Sequence, residues 1–306
     1  FPHWNENAYE SCDLLMAISK QTYNINKHVC QRKPRKEGVD LTYVPHGIDE
    51  NIFKPLDNSD INFVKFKEKF FQNLGGENYD FIALFNSRNI QRKRPADLMI
   101  AFSKFCKTLT EEQSKRCLMI FHTDPVDRHG TDLPAVASAL CPYPVLFSNA
   151  KLSETDLNMM YNIADVVCNP SSAEGFGLSH MEAMMSGTPT IATVIGGLQD
   201  QMGFKIDGNE ITVNDFTADK PSNSTGLLSK DHGEWTYPLW PQLNCQGSPP
   251  TPYIYDSRAN INDITKGLEH WYNMSIEDRR SKGMAGREWA IKNGFTKKGM
   301  CDAMID

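Results

Sequence analysis

Two carboxylates flanking a glycine turn form the sharpest chemical signature in this chain. In Pro170-Ser171-Ser172-Ala173-Glu174-Gly175-Phe176-Gly177-Leu178-Ser179-His180-Met181-Glu182-Ala183, a strand pattern ends, a turn carries Glu174, and a helix pattern starts with Glu182 about one turn inside it. The first N–H groups of a helix lack internal partners and sit at its positive end, a combination that suits a phosphate. Gly175 and Gly177 let the backbone approach a ligand closely. Glu174 belongs on the rim at the carboxyl edge of a parallel sheet, where such sheets bind ligands, and Glu182 is placed to accept hydrogen bonds from a neutral hydroxylated group such as a ribose. A plainer reading treats Glu182 as a solvated helix carboxylate and Glu174 as a partner of the helix dipole.

A second loop, Asn86-Ser87-Arg88-Asn89-Ile90-Gln91-Arg92-Lys93-Arg94-Pro95, also follows a strand pattern and precedes a helix. Four cations between Arg88 and Arg94 make a local anion site on a chain of net charge −6. Arg88 offers a fork for two phosphate oxygens and Lys93 a point charge. A basic loop alone is more often a solvated surface. Two such loops leaving one edge of one sheet are better explained by a shared diphosphate.

The elements that position these loops alternate in type. Strands are predicted at Phe81–Phe85, Leu118–Phe121, Val145–Phe147, Asp165–Cys168 and Thr190–Val194. Between them, Pro95 opens a helix with Leu98, Met99, Phe102 and Phe105 on one face, and Ser153 caps another that buries Leu157, Met160, Tyr161 and Ala164. The helix over Ser179–Ser186 stops at Gly187. This alternation implies an α/β, Rossmann-like, doubly wound parallel sheet covered on both faces. Nearer the start, strands are expected at Asp13–Ile18 and Leu41–Val44, with the basic stretch Gln31–Lys36 between them. Residues 203–256, rich in Gly, Pro, Asn and Ser, read as an inserted or extended loop. Helices follow around Ile264–Trp271 and Glu277–Asn293.

Composition narrows the function classes. The chain has 306 residues, with 23% charged and 40% in the hydrophobic set, which is ordinary for a globular protein. Its 32 basic against 38 acidic side chains argue against a general nucleic-acid binder. Its apolar runs fall short of the roughly 20 residues that a membrane span needs. The eight scattered cysteines include no C-x-x-C and are read as reduced thiols, which fits a cytoplasmic location.

Taken together, these motifs resemble the retaining glycosyltransferases of the GT-B fold, in particular the large family 4. Glu174 and Glu182 are similar to that family's E-x7-E pair, and Arg88 with Lys93 to its phosphate-binding Arg and Lys. Val44-Pro45-His46-Gly47-Ile48-Asp49 resembles the link between its two domains, and Ile195-Gly196-Gly197-Leu198-Gln199-Asp200 resembles its G-G loop. The resemblance implies transfer of a hexose from a nucleotide diphosphate sugar to an acceptor hydroxyl, with retention. Arg88, Lys93 and Glu174 would be the catalytic set, and Gly175, Phe176, Gly177, Leu178 and Glu182 would bind the donor. No D-x-D pair is present, so no metal and no cofactor beyond the donor substrate are expected. The acceptor, whether glycan, lipid or protein, is not specified.

The implied domain division is 1–43 for the end of an acceptor domain otherwise largely absent, 44–285 for the nucleotide-sugar domain, and 286–306 for helices crossing back, which have no visible packing partner. That division leaves open a peripheral membrane contact through the missing part, and a non-catalytic donor-binding half that needs a partner acceptor domain. Trp235, Tyr237, Trp240, Tyr253 and Tyr255 either stack on a sugar or pin the 203–256 segment to the core. His46 is read as a turn residue and His180 as a packing or surface residue, while His122 stands equally for a nucleotide contact or a structural role.

Overall fold

The computed structural model describes residues 6–32, 40–76, 78–248 and 251–305. His3 and most of the basic stretch, from Lys33 to Lys36, lie outside the described residues. At the start come α1 (Glu6–Glu10), β1 (Leu14–Ala17), α2 (Lys20–Arg32), β2 (Asp40–Tyr43) and α3 (Ile61–Asn73). The central run is β3 (Phe81–Asn86), α4 (Pro95–Lys107), α5 (Glu111–Lys115), β4 (Cys117–His122), α6 (Leu133–Leu140) and β5 (Val145–Ser148). It continues with α7 (Glu154–Ile163), β6 (Val166–Asn169), α8 (Leu178–Met185) and β7 (Thr190–Thr193). Short strands β8 (Lys205–Ile206) and β9 (Asn209–Glu210), then β10 (Thr236–Leu239), β11 (Gln242–Ser248) and β12 (Thr251–Arg258), precede α9 (Ile261–Tyr272), α10 (Ile276–Lys292) and α11 (Lys297–Ile305).

Six strands pair in the order β10-β7-β6-β3-β4-β5, and every pairing is parallel. The chain winds outward from β3 through β4 to β5, then returns to the other side of β3 for β6, β7 and β10. The order therefore reverses between β3 and β6, and the carboxyl ends of strands at such a switch point are where sheets of this kind bind ligands. Strand β3 shows why the sheet is covered twice. Phe81, Ala83 and Phe85 pack into one cluster with Phe102, Phe105 and Trp271, while Ile82 and Leu84 pack into another with Tyr161, Met181 and Met184. With both faces buried, a parallel strand reads as a continuous apolar run rather than an alternating one.

Two expectations are corrected. Residues 203–256 are not an open loop: β10 extends the main sheet beside β7, and β11 and β12 form an antiparallel hairpin. The four residues of β10 include Pro238, which a central strand would exclude but an edge strand tolerates. The C-terminal segment also has a packing partner. Ile48 N–H donates to Phe295 O at 3.0 Å, Lys297 N–H donates to Ile48 O at 2.9 Å, and Gly47 N–H meets Met300 Sδ at 3.3 Å. The Val44–Asp49 link is thus held by the chain that follows α10.

Candidate functional site

Both predicted loops leave the carboxyl edge of the sheet at the β3–β6 switch point, and hydrogen bonds to their backbones join them. Ser172 N–H donates to Arg92 O at 2.7 Å, and the Arg92 guanidinium donates to Ala173 O at 2.7 Å. In the β3 loop, a 3-10 turn over Gln91–Lys93 aims Lys93 inward, and Arg94 takes a left-handed φ of 55° before Pro95 starts α4. Buried Asn89 anchors this loop by donating to Thr131 O at 2.7 Å and accepting from Thr131 N–H at 3.2 Å.

Lys93 is 8% exposed and forms a direct ion pair with Glu174. Burial pushes the ammonium pKa below its usual value, and the Glu174 carboxylate opposes that shift. Glu174 Oε2 also lies 3.5 Å from the Arg92 guanidinium and accepts from Ser171 Oγ at 3.5 Å. Next to this pair α8 begins at Gly177, whose φ of 94° suits only a glycine and which brings no side-chain cap. The first N–H groups of α8 therefore keep their anion-binding character.

The 174–177 turn is braced from behind by the 196–201 segment. Gly197 N–H donates to Gly175 O at 3.0 Å, and buried Gln201 donates to Phe176 O at 2.7 Å. At Gly196 φ is 44°, and a Cβ would stand 1.8 Å from Glu174 O. The G-G pair is thus a steric requirement of the turn. Phe176 is buried against Phe295 and the edge of His46, with ring centroids at 6.2 and 5.2 Å, while Leu178 is 49% exposed beside it.

Glu182 faces inward on α8. Its Oε2 accepts from Tyr161 Oη at 2.7 Å, and that hydroxyl accepts from Asn86 Nδ2 at 2.7 Å. Burial raises the Glu182 pKa, while the Tyr161 hydrogen bond opposes the rise. This Asn86–Tyr161–Glu182 chain ties β3, α7 and α8 together at the switch point. Sequence reasoning placed Tyr161 only on an apolar helix face. The available signal was that a buried phenol needs a partner for its hydroxyl.

Arg88 does not join the Lys93–Glu174 pair. Its guanidinium donates to Asp127 at 2.9 Å and is 62% exposed. It stands instead at a cavity of about 280 Å³ over the carboxyl ends of β3, β4 and β5, shared with His122, Ser148 and Asn149. His122 Nδ1 lies 3.1 Å from Ser148 Oγ, and burial lowers its pKa. His180 is fully buried, its pKa pushed down to about 3, so it packs rather than binds. Trp235 is likewise core, donating to Gln201 O at 3.1 Å. Tyr237 and Trp240 are half-buried and Tyr255 is 66% exposed, while the side chain of Tyr253 lies outside those described.

Residues 135–218, which carry Glu174, Glu182 and the G-G loop, match the family described as glycosyl transferases group 1. Over that stretch the chain is similar to the group 1 glycosyltransferases. Mannosylfructose-phosphate synthase of Agrobacterium fabrum is 27% identical over 197 residues, which are 62% of this chain and 39% of that protein. D-inositol 3-phosphate glycosyltransferase of Corynebacterium urealyticum is 45% identical over 60 residues, 18% of this chain and 14% of that one. The chain thus spans well under half the length of these relatives. Among solved structures, sucrose-phosphate synthase from Thermosynechococcus elongatus superposes with a TM-score of 0.64 at 20% identity, covering 98% of this chain and 58% of the other. Anabaena HepE in complex with UDP-glucose superposes with a TM-score of 0.64 at 16% identity, covering 99% and 68%. The fold of this chain is therefore that of GT-B enzymes.

Proposed function

We propose that this chain carries the donor site of a retaining glycosyltransferase that moves a hexose from a nucleotide diphosphate sugar to an acceptor hydroxyl without a metal ion. The observation that carries the reading is the buried Lys93–Glu174 pair at the switch point, beside the uncapped start of α8. In this pair each charge has the other as a partner. An arriving diphosphate replaces Glu174 as the partner of Lys93 and draws Arg88 away from Asp127. It also meets the N–H groups that open α8. Glu174 is then free to accept hydrogen bonds from sugar hydroxyls, and Glu182, held by Tyr161, accepts from the ribose.

As the glycosidic bond breaks, negative charge grows on the distal phosphate. Lys93, Arg88 and the helix start stabilise it there, a role that fixed donors fill well in a site shielded from water. The sequence holds no D-x-D pair for a chelated metal, in keeping with this division of work. UDP and UDP-glucose occupy solved HepE structures of the same fold, so a uridine nucleotide is the first donor to test. Among the described residues no helix is long and apolar enough to cross a membrane. A cytoplasmic location, expected from eight scattered cysteines with no C-x-x-C, is part of the proposal.

Calorimetric titration with UDP-, GDP- and ADP-glucose, with and without EDTA, tests the reading. One nucleotide should bind at micromolar concentration whether or not EDTA is present. Lys93→Ala and Glu182→Ala should each weaken it by at least about tenfold, the factor that 1.4 kcal/mol represents. Binding that survives both substitutions would refute the assigned roles, and binding abolished by EDTA would refute the metal-free mechanism.

A further inference from the structure

Two strands away from the switch point, the outer edge of β10 forms one wall of an open groove of about 450 Å³. Helices α9 and α10 form the other wall. This volume lies within the range of about 300–1,000 Å³ found for small-molecule sites. The donor reading uses none of the residues that line it.

Its chemistry points to one kind of occupant. Tyr237 and His270 both line it, with ring centroids 5.2 Å apart and ring planes inclined at 50°. Trp240 lines the same groove and rests one side on Phe204 at 5.7 Å. Such flat faces suit a ligand with an apolar face of C–H groups. The charged groups cancel in place. Lys282 pairs with Glu234 at 2.6 Å and Lys266 with Asp263 at 3.5 Å, leaving equal numbers of cations and anions in the lining.

His270 adds no charge near neutral pH, because burial, Lys282 and His232 all hold its pKa below the usual value. A sugar phosphate or nucleotide would meet no unpaired cation there, since both lysines of the lining already have carboxylate partners. An added peptide strand is also excluded as a match, because Pro238 offers no N–H at the middle of the edge. An uncharged ligand with an apolar face and many hydroxyl groups fits both the rings and the dense polar rim.

We propose that the groove between β10 and helices α9 and α10 is a second carbohydrate site that binds a neutral saccharide, with a sugar ring stacked on Trp240. Glu234, Asp263 and Lys282 then bond its hydroxyls. This site does not rest on the donor reading, since it shares no residue with the site at the β3–β6 switch point.

Amide mapping by NMR on the isotope-labelled full chain tests the proposal, with maltose, cellobiose, sucrose and mannobiose as probes and glucose 6-phosphate as the charged control. At least one neutral disaccharide should shift the amides of residues 236–240 and 263–270 and the Trp240 indole, in the presence of saturating UDP as well as in its absence. Trp240→Ala should weaken that binding by at least about tenfold, the factor that 1.4 kcal/mol represents. Trp240 also packs on Phe204, so the exposed Glu234→Ala variant supplies a second test that leaves the core intact and should weaken binding in the same direction. Three results would each overturn the proposal: no shifts with any neutral probe, tighter binding of glucose 6-phosphate, or unchanged affinity in both variants. Shifts confined to the surroundings of Glu174 and Glu182 would overturn it too, while leaving the donor reading in place.

Discussion

Replacing Tyr161 with Phe removes one oxygen and keeps the ring, so it isolates the hydroxyl that joins Asn86 to Glu182. The ring is fully buried and packs near Phe53, with centroids 6.2 Å apart, and that packing survives the change. Two hydrogen bonds are lost, one to the Glu182 carboxylate at 2.7 Å and one from the Asn86 amide at 2.7 Å. A bond to a charged group contributes about 1.5–3 kcal/mol and a neutral one about 0.5–1.5, so Tyr161→Phe should cost about 2–4 kcal/mol near neutral pH. The cost should also depend on pH. Burial already raises the Glu182 pKa, and the lost hydroxyl was opposing that rise, so in the variant this pKa moves higher still. A folded-state carboxyl with a raised pKa contributes its full stability when protonated and loses it as pH rises through the folded value. The variant should therefore be penalised more at neutral pH than in acid. Urea unfolding of both proteins across that range measures the penalty. A loss below about 0.5 kcal/mol, or one that grows toward acid pH, would refute the view that the hydroxyl supports a buried carboxylate.

Gly196→Ala should cost more than about 2 kcal/mol and abolish nucleotide binding, because its Cβ would stand 1.8 Å from Glu174 O and displace the turn. Thermal unfolding and donor titration check this, and a well-folded variant with unchanged affinity would show that the turn tolerates movement. Asp200 is buried, accepting from Lys20 N–H at 2.8 Å and from the Tyr43 hydroxyl at 3.3 Å, and burial pushes its pKa from 3.8 up to about 6. Its contribution to stability is complete below about pH 3.8 and is lost as pH rises through about 6, an interval corresponding to about 3 kcal/mol. Asp200→Asn should flatten the stability profile over that window, and an unchanged slope in urea unfolding would count against a buried, weakly compensated carboxylate.

Much of the molecule is legible from local pattern. Pro95 at the first turn of α4, the Ser153 cap of α7 and the apolar runs of β3, β4 and β6 mark their elements because backbone geometry and burial act over a few residues. The glutamates and basic residues are equally legible as chemistry, since strand-to-helix turns put such residues on one sheet edge. What escaped was whatever depends on distant partners. β10 is four residues with a proline, and only its place beside β7 makes it a strand. Tyr161 differs from other buried aromatics only through Asn86 and Glu182, which are 75 and 21 residues away.

The sequence by itself determined the alternation of elements, the two loops and the kind of charge each carries. Tertiary structure decided where those charges go. It pairs Lys93 with Glu174 and leaves Arg88 with Asp127. It also buries Trp235 while leaving Tyr237 and Trp240 in an open groove. The physical reason is that element type follows from short-range sterics and periodicity, whereas the partner of a long polar side chain is chosen by burial and distance in the packed fold.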